Sequence, residues 1–180
     1  MGHSGAFLLG AGTAFRIVPS AGIGIVVLTN GAPVGAAESV IAEFTDMALY
    51  GQSSRDWFAA YHGAMLGFFA PQADLSSQSR PERPKASQPP GQYVGRYENA
   101  YFGPAEIREA NGIMTLTLGP RAMTFRLRHW DGDTFAFTPA GEAELVDSLA
   151  SLRFQMDKNR AGGFVIELYD DNGLGTWVRR

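Results

Sequence analysis

The sequence predicts an α+β chain in three parts. A three-stranded antiparallel sheet with two helices occupies residues 1–70, a proline-rich linker 71–92, and a small antiparallel eight-stranded β-barrel 93–180. Three observations predict this. Charge is sparse at first and ordinary later. Prolines and polar residues concentrate in the middle. Over the last half, short alternating runs recur at even spacing between turn signals.

The composition bounds the function. At 180 residues, 45% hydrophobic and 12% aromatic, the chain can bury a core in one large domain or two small ones. A net charge of −3 argues against a nucleic-acid binder, which needs a basic face. With no cysteine there is no disulfide framework, thiolate metal site or cysteine nucleophile. The histidines at 3, 62 and 129 stand in unrelated contexts, so no metal and no cofactor is expected.

Residues 1–70 carry only Arg16, Arg55, Glu38, Glu43, Asp46 and Asp56 as charges. An ordinary soluble domain is roughly 25% charged. This part is too apolar to own a normal solvated surface, so it either enters a membrane or belongs to something larger. A spanning helix needs about 20 nearly uninterrupted apolar residues. Arg16, Pro19 and several glycines interrupt here, and no membrane span is expected. Met1-Gly2-His3 lacks the basic start of a secretory signal.

The elements follow in order. Apolar runs at 6–9, 14–18 and 23–29 read as strands, separated by Gly10, Gly12 and the turn Pro19-Ser20-Ala21-Gly22. The third is apolar on both faces and calls for cover on both. After Pro33, the residues Ala37, Val40, Ile41, Phe44, Met47 and Ala48 recur at helical spacing, and Gly51 stops that helix. Ser53 with Asp56 resembles a capping box opening a second helix, apolar nearly all round through Trp57, Phe58, Tyr61, Met65, Phe68 and Phe69. Residues 71–92 hold five of the ten prolines and no aromatic, which predicts an extended, unprotected segment. Strands are then expected at 93–98, 105–109, 113–118, 123–128, 134–138, 152–156, 164–169 and 176–178. Turn signals such as Asn111-Gly112, Gly119-Pro120 and Asp131-Gly132-Asp133 divide them, as in a meander closing into a barrel.

Chemical motifs are few. No serine precedes Lys85 or Lys158 by three positions, so no Ser-x-x-Lys exists. Gly2-His3-Ser4-Gly5-Ala6 misses the Gly-x-Ser-x-Gly elbow by one residue. Tyr97-Glu98-Asn99 reads as a barrel residue and a turn residue, and Asp131 and Asp133 as turn formers. Asp170-Asp171-Asn172 lacks the later glutamate of a calcium loop and reads as a turn. The glycines at 10, 12, 22 and 24 lack phosphate-cradle spacing. His62 and His129 read as structural.

One stretch has a specific context. Gly2-His3-Ser4-Gly5-Ala6-Phe7 precedes a glycine-rich break, a second strand, and then Gly22-Ile23-Gly24-Ile25-Val26-Val27-Leu28-Thr29-Asn30-Gly31. This order resembles the C-terminal end of the serine β-lactamase and penicillin-binding-protein superfamily, in its class C and esterase-like branch. That family carries a third active-site motif, Lys-Thr-Gly or His-x-Gly, on a strand of its sheet. Residues 23–30 look like its last strand and 34–50 like its C-terminal helix. Tyr93-Val94-Gly95-Arg96-Tyr97-Glu98-Asn99 with Tyr101-Phe102-Gly103-Pro104 resembles the opening of the lipocalin-like β-domain often appended to such proteins. The resemblance implies roles for the third-motif residues. His3 would tune the site electrostatically, Ser4 would hydrogen-bond the substrate, and the N–H of Ala6, after Gly5, would be one of two oxyanion donors.

The family's Ser-x-x-Lys and Tyr-x-Asn lie upstream of this strand, where the chain has only two residues. The expectation is a C-terminal accessory region of such a serine hydrolase, without catalysis of its own and partnered by the missing N-terminal hydrolase region. The other reading is a lipocalin-like module that binds a small ligand or a partner. The family is often periplasmic or secreted. Phe7, Phe15, Ile17, Ile25, Val27, Trp57, Phe58, Phe68 and Phe69 would compete for one thin layer of cover, which predicts a homodimer through residues 1–70.

Overall fold

The computed structural model describes residues 1–71, 73–141, 144–145 and 147–180. It divides into two compact units, one of Met1–Ala70 and one of Pro71–Ala140 with Glu144–Arg180.

The first unit is a three-stranded antiparallel sheet with two helices. Its strands are β1 (Gly2–Phe7), β2 (Ala11–Val18) and β3 (Ile23–Thr29), in the order β1-β2-β3. The first strand lies four residues earlier than expected because Gly10 adopts φ 106° and its N–H bonds to Phe7 O at 3.0 Å. That turn takes Leu8 and Leu9 into the hairpin. The helices are α1 (Ala36–Tyr50) and α2 (Trp57–Met65), and a 3-10 turn at Leu66–Phe69 continues α2. Gly35 opens α1 at φ 83°; a Cβ there would lie 2.8 Å from Tyr61, so only glycine lets the two helices approach this closely. The cap of α2 is Asp56 itself, which accepts from Ala59 N–H at 2.8 Å. Ser53 instead donates to Glu43 Oε2 and to the Arg55 carbonyl.

Helix α1 covers one face of this sheet. Ala14, Ala37 and Ile41 form the buried cluster, with Ile25 and Val27 packed against it. Register puts Phe15 opposite Val26 and Thr13 opposite Leu28 on the other face, where Phe15, Ile17, Val26 and Leu28 are all exposed. The uncovered residues of β3 are thus Val26 and Leu28, and Ile25 and Val27 are the covered ones. Both faces are apolar in sequence, so only the side on which α1 docks decides between them.

The second unit is a closed barrel. Its strands are β4 (Gly95–Asn99), β5 (Gly103–Ala110), β6 (Ile113–Leu118), β7 (Met123–Asp131), β8 (Thr134–Phe137), β9 (Ala150–Asp157), β10 (Arg160–Ile166) and β11 (Thr176–Arg179). They close in the order β10-β11-β4-β5-β6-β7-β8-β9. Side chains fill the interior: Tyr97, Ile107, Leu116, Phe137, Leu152 and Trp177 are essentially fully buried. The outward rows are polar, with Arg108, Thr115 and Arg126 in register. Asn111 and Gly112 both take positive φ, as a tight type I′ hairpin needs. Residues 167–169, expected as strand, form the 3-10 turn Glu167–Tyr169 after β10.

One cation locks the strand ends. Arg179 donates to the carbonyls of Ala161, Gln92, Tyr93 and Val94 and to the Tyr97 hydroxyl, and its guanidinium lies 4.7 Å from the Tyr97 ring centroid. The described residues of 71–92 include turns and the 3-10 turn Pro90–Gln92 and are tied to the barrel, which differs from the unprotected linker expected above. Ala73 and Leu75 are buried, Leu75 N–H bonds to Leu149 O at 3.0 Å, and Asp74 accepts from Ser151 N–H at 2.9 Å. Further along, Lys85 N–H bonds to Asp131 Oδ1 and Gly132 N–H to Lys85 O. Backbone hydrogen bonds, the Asp74 carboxylate and the buried Ala73 and Leu75 together supply these ties.

Candidate functional site

The residues singled out in the sequence lie on β1, an edge of the sheet whose residues are all exposed. Met1 and Ile17 exchange both backbone hydrogen bonds, at 2.8 and 3.0 Å. Antiparallel pairs alternate between bonded and unbonded. His3 with Phe15 and Gly5 with Thr13 are then bonded pairs, while Ser4 with Ala14 and Ala6 with Gly12 are unbonded ones. The N–H groups of Ser4 and Ala6 therefore point away from β2, to the open edge. Two donors of one strand are presented in a row, without a strand to receive them among the described residues.

The side chains divide by face. His3 lies with Phe15 on the uncovered face, and Ser4 lies with Ala14 on the face that α1 covers. His3 and Ser4 therefore cannot form a nucleophile–base pair across one face. A cavity of about 320 Å³ opens beside the strand, lined by His3, Ser4, Arg16, Glu38, Ile41 and Tyr61 among others. Arg16 is held by Thr45 Oγ1 at 3.4 Å. Sequence reasoning missed Arg16, Glu38 and Tyr61 here. Arg16 had a signal, being one of two cations in the first 70 residues and placed inside an apolar strand. Glu38 and Tyr61 had none, since they arrive from the two helices.

A second polar centre fixes the helices. Asp46, only 7% exposed, accepts from Ser54 N–H at 2.8 Å, the Ser54 hydroxyl at 2.5 Å and Trp57 Nε1 at 2.8 Å. These hydrogen bonds hold its carboxyl below the ordinary 3.8. His62 faces the Val34 carbonyl at 3.2 Å and stacks on Phe58.

The remaining sequence candidates are engaged structurally. Tyr97 donates to the Tyr93 carbonyl at 2.5 Å. Asn99 donates to Leu174 and Thr176 carbonyls and accepts from the N–H groups of Tyr101 and Phe102, which uses its whole amide. Asp133 receives the Tyr93 hydroxyl at 2.5 Å, and Asp170 accepts from Gly175 N–H. Among the described residues no helix is long and apolar enough to cross a membrane.

No curated protein sequence matches the chain. A crystal structure of the C-terminal domain of a penicillin binding protein matches with 40% identity and a TM-score of 0.52, over 57% of this chain and 96% of that one. A family described as "Domain of unknown function (DUF3471)" matches residues 79–173, which takes in β4 through β10 and part of the segment tied to the barrel. By that match, over more than half its length, the chain belongs to the DUF3471 family.

Proposed function

We propose that this chain is the C-terminal accessory region of a β-lactamase-like serine hydrolase and does not catalyse hydrolysis by itself. The observation that carries this is the open edge of β1, where the N–H groups of Ser4 and Ala6 point outward beside a sheet face that leaves Phe15, Val26 and Leu28 uncovered. Such donors stabilise an oxyanion only after a nucleophile has attacked. Neither lysine follows a serine by three positions, and His3 is on the opposite face from Ser4. The likeness to the C-terminal domain of a penicillin binding protein supports the accessory reading. In this reading the barrel is an appended lipocalin-like domain, residues 1–70 complete the sheet of the hydrolase domain, and His3, Ser4, Gly5 and Ala6 form its third-motif strand.

The isolated chain is expected to show no saturable turnover of a chromogenic cephalosporin or a short-chain nitrophenyl ester. Turnover that Ser4→Ala abolishes would overturn the reading. A Ser4→Ala chain that behaves like the parent, both without turnover, supports it.

A further inference from the structure

The barrel interior is occupied by its own side chains, so a ligand cannot enter it without displacing Tyr97, Phe164 or Trp177. One mouth of the barrel is different. There a cavity of about 340 Å³ is lined by Phe102, Leu118, Pro120, Arg121, Met123, Tyr169 and Trp177, with Gly119. Its floor is aromatic. Phe102 stacks on Trp177 at 5.6 Å and 22°, and Tyr169 lies 5.1 Å from Phe102. Trp177 spends its one polar group on the Gly103 carbonyl at 3.1 Å, which leaves only its ring to the cavity.

The rim carries a single cation. Arg121 sits in the β6–β7 turn, which closes through Ala122 N–H to Gly119 O at 3.0 Å. It makes no ion pair or hydrogen bond among the described residues. Arg126, Arg128 and Arg160 are likewise free of ion pairs among the described residues, but only Arg121 lies in the lining of this cavity, beside the aromatic floor. Glu144 adds to the burial that raises the Tyr169 hydroxyl, and it is not part of the cavity lining.

We propose that this mouth is a binding site for a small apolar molecule bearing one carboxylate. The ring or chain would lie on Phe102, Tyr169 and Trp177, and the carboxylate would pair with Arg121. Arg121, the cation within the lining, selects the anion, because a cation would be repelled by it and an uncharged molecule would leave it unpaired. The volume lies at the small end of ligand sites, enough for about one ring and a short chain. This site is independent of the accessory role proposed above, since it uses none of the β1 residues.

The test is a titration of the isotope-labelled full chain, followed by amide and indole N–H shifts in NMR. The probes are 3-phenylpropanoate, its amide, and 3-phenylpropylamine. Saturable shifts with the carboxylate, at Gly119, Met123 and the Trp177 indole, are expected. Arg121→Ala should weaken them at least tenfold while leaving the rest of the spectrum in place, since Arg121 holds no other group. Met123→Glu, which puts an acid on the rim, should weaken them as well. Absence of saturable shifts, equal binding of the amine, or unchanged binding in Arg121→Ala would each overturn the site.

Discussion

The two units solve the same problem in opposite ways. The barrel closes its sheet, so no strand edge is open and one side chain face of every strand is sealed inside. The first unit has a sheet of similar strands, but it leaves β1 and β3 as edges and one face uncovered. Its buried cluster is Ala14, Ala37 and Ile41, two of them alanines. The barrel buries Trp177, Tyr93, Tyr97, Phe137 and Phe164. The difference teaches that strand-rich sequence alone does not make a self-sufficient unit. Closure, or a partner layer, is what turns apolar strands into a core.

Separating the two parts should have the largest effect. Residues 71–180 alone are expected to remain folded and monomeric, while residues 1–70 associate. Leaving four of Phe15, Ile17, Val26, Leu28 and their neighbours exposed forgoes on the order of 6–12 kcal/mol, comparable to the whole stability of a domain. In the full chain, light scattering at tens of micromolar should give a dimer through residues 1–70, and Val26→Asp with Leu28→Asp should dissolve it. A single species of 19.4 kDa that binds no apolar dye would overturn the dimer and the incomplete-unit reading together.

Single substitutions in the two sheets should differ in the same direction. Trp177→Ala should lower the urea stability of the barrel by about 3–5 kcal/mol, whereas Val26→Ala, measured at a dilution where the chain is monomeric, should change stability by less than about 0.5 kcal/mol. Arg179→Ala should cost the barrel about 2–3 kcal/mol, because it strips a charged donor from several carbonyls and from Tyr97 at once. Equal effects of Trp177→Ala and Val26→Ala in the monomer would mean that the chain covers this sheet face itself.

Acid and base should separate the units more gently. Asp46 titrates below its ordinary value in the folded chain, so its contribution is present above about pH 4 and is lost as pH falls through the lowered value. The helix pair should loosen first in acid, and Asp46→Asn should remove that pH dependence. Burial raises the hydroxyls of Tyr93, Tyr97 and Tyr169. A raised phenol contributes below pH 10 and loses its contribution as pH climbs beyond it, so the barrel should unfold at alkaline pH. Circular dichroism across both ranges checks the order.

Much of the barrel was legible. The strand at Ile113–Leu118 has its expected bounds, and Asn111-Gly112 makes the tight turn its side chains demand. The second and third strands and α1 of the first unit were legible from period, while β1 lies four residues before the apolar run expected for it. The cap of α2 was misplaced because Ser53 and Asp56 are both capping residue types, and only the bond from Ala59 N–H distinguishes them. The segment 71–92 was read as unprotected because composition reports apolar burial and is silent on backbone hydrogen bonds, which are what tie Lys85 to Asp131 and Gly132. The cavity residues Glu38 and Tyr61 were invisible because each comes from a helix far along the chain.

By itself, then, the sequence determined the architecture of both units. Alternation at period two, helical spacing and turn residues act over a few neighbours, and those neighbours are written next to one another. Tertiary structure decided what depends on distant groups. It chose Ile25 and Val27 over Val26 and Leu28 for cover, since a strand apolar on both faces carries no information about which side a helix will take. It turned the N–H groups of Ser4 and Ala6 to an open edge, since that direction follows from which pairs of β1 and β2 are bonded. It left Arg121 without an ion pair among the described residues while giving Arg179 four carbonyls and the Tyr97 hydroxyl, since a guanidinium is satisfied only by the acceptors that folding brings within reach.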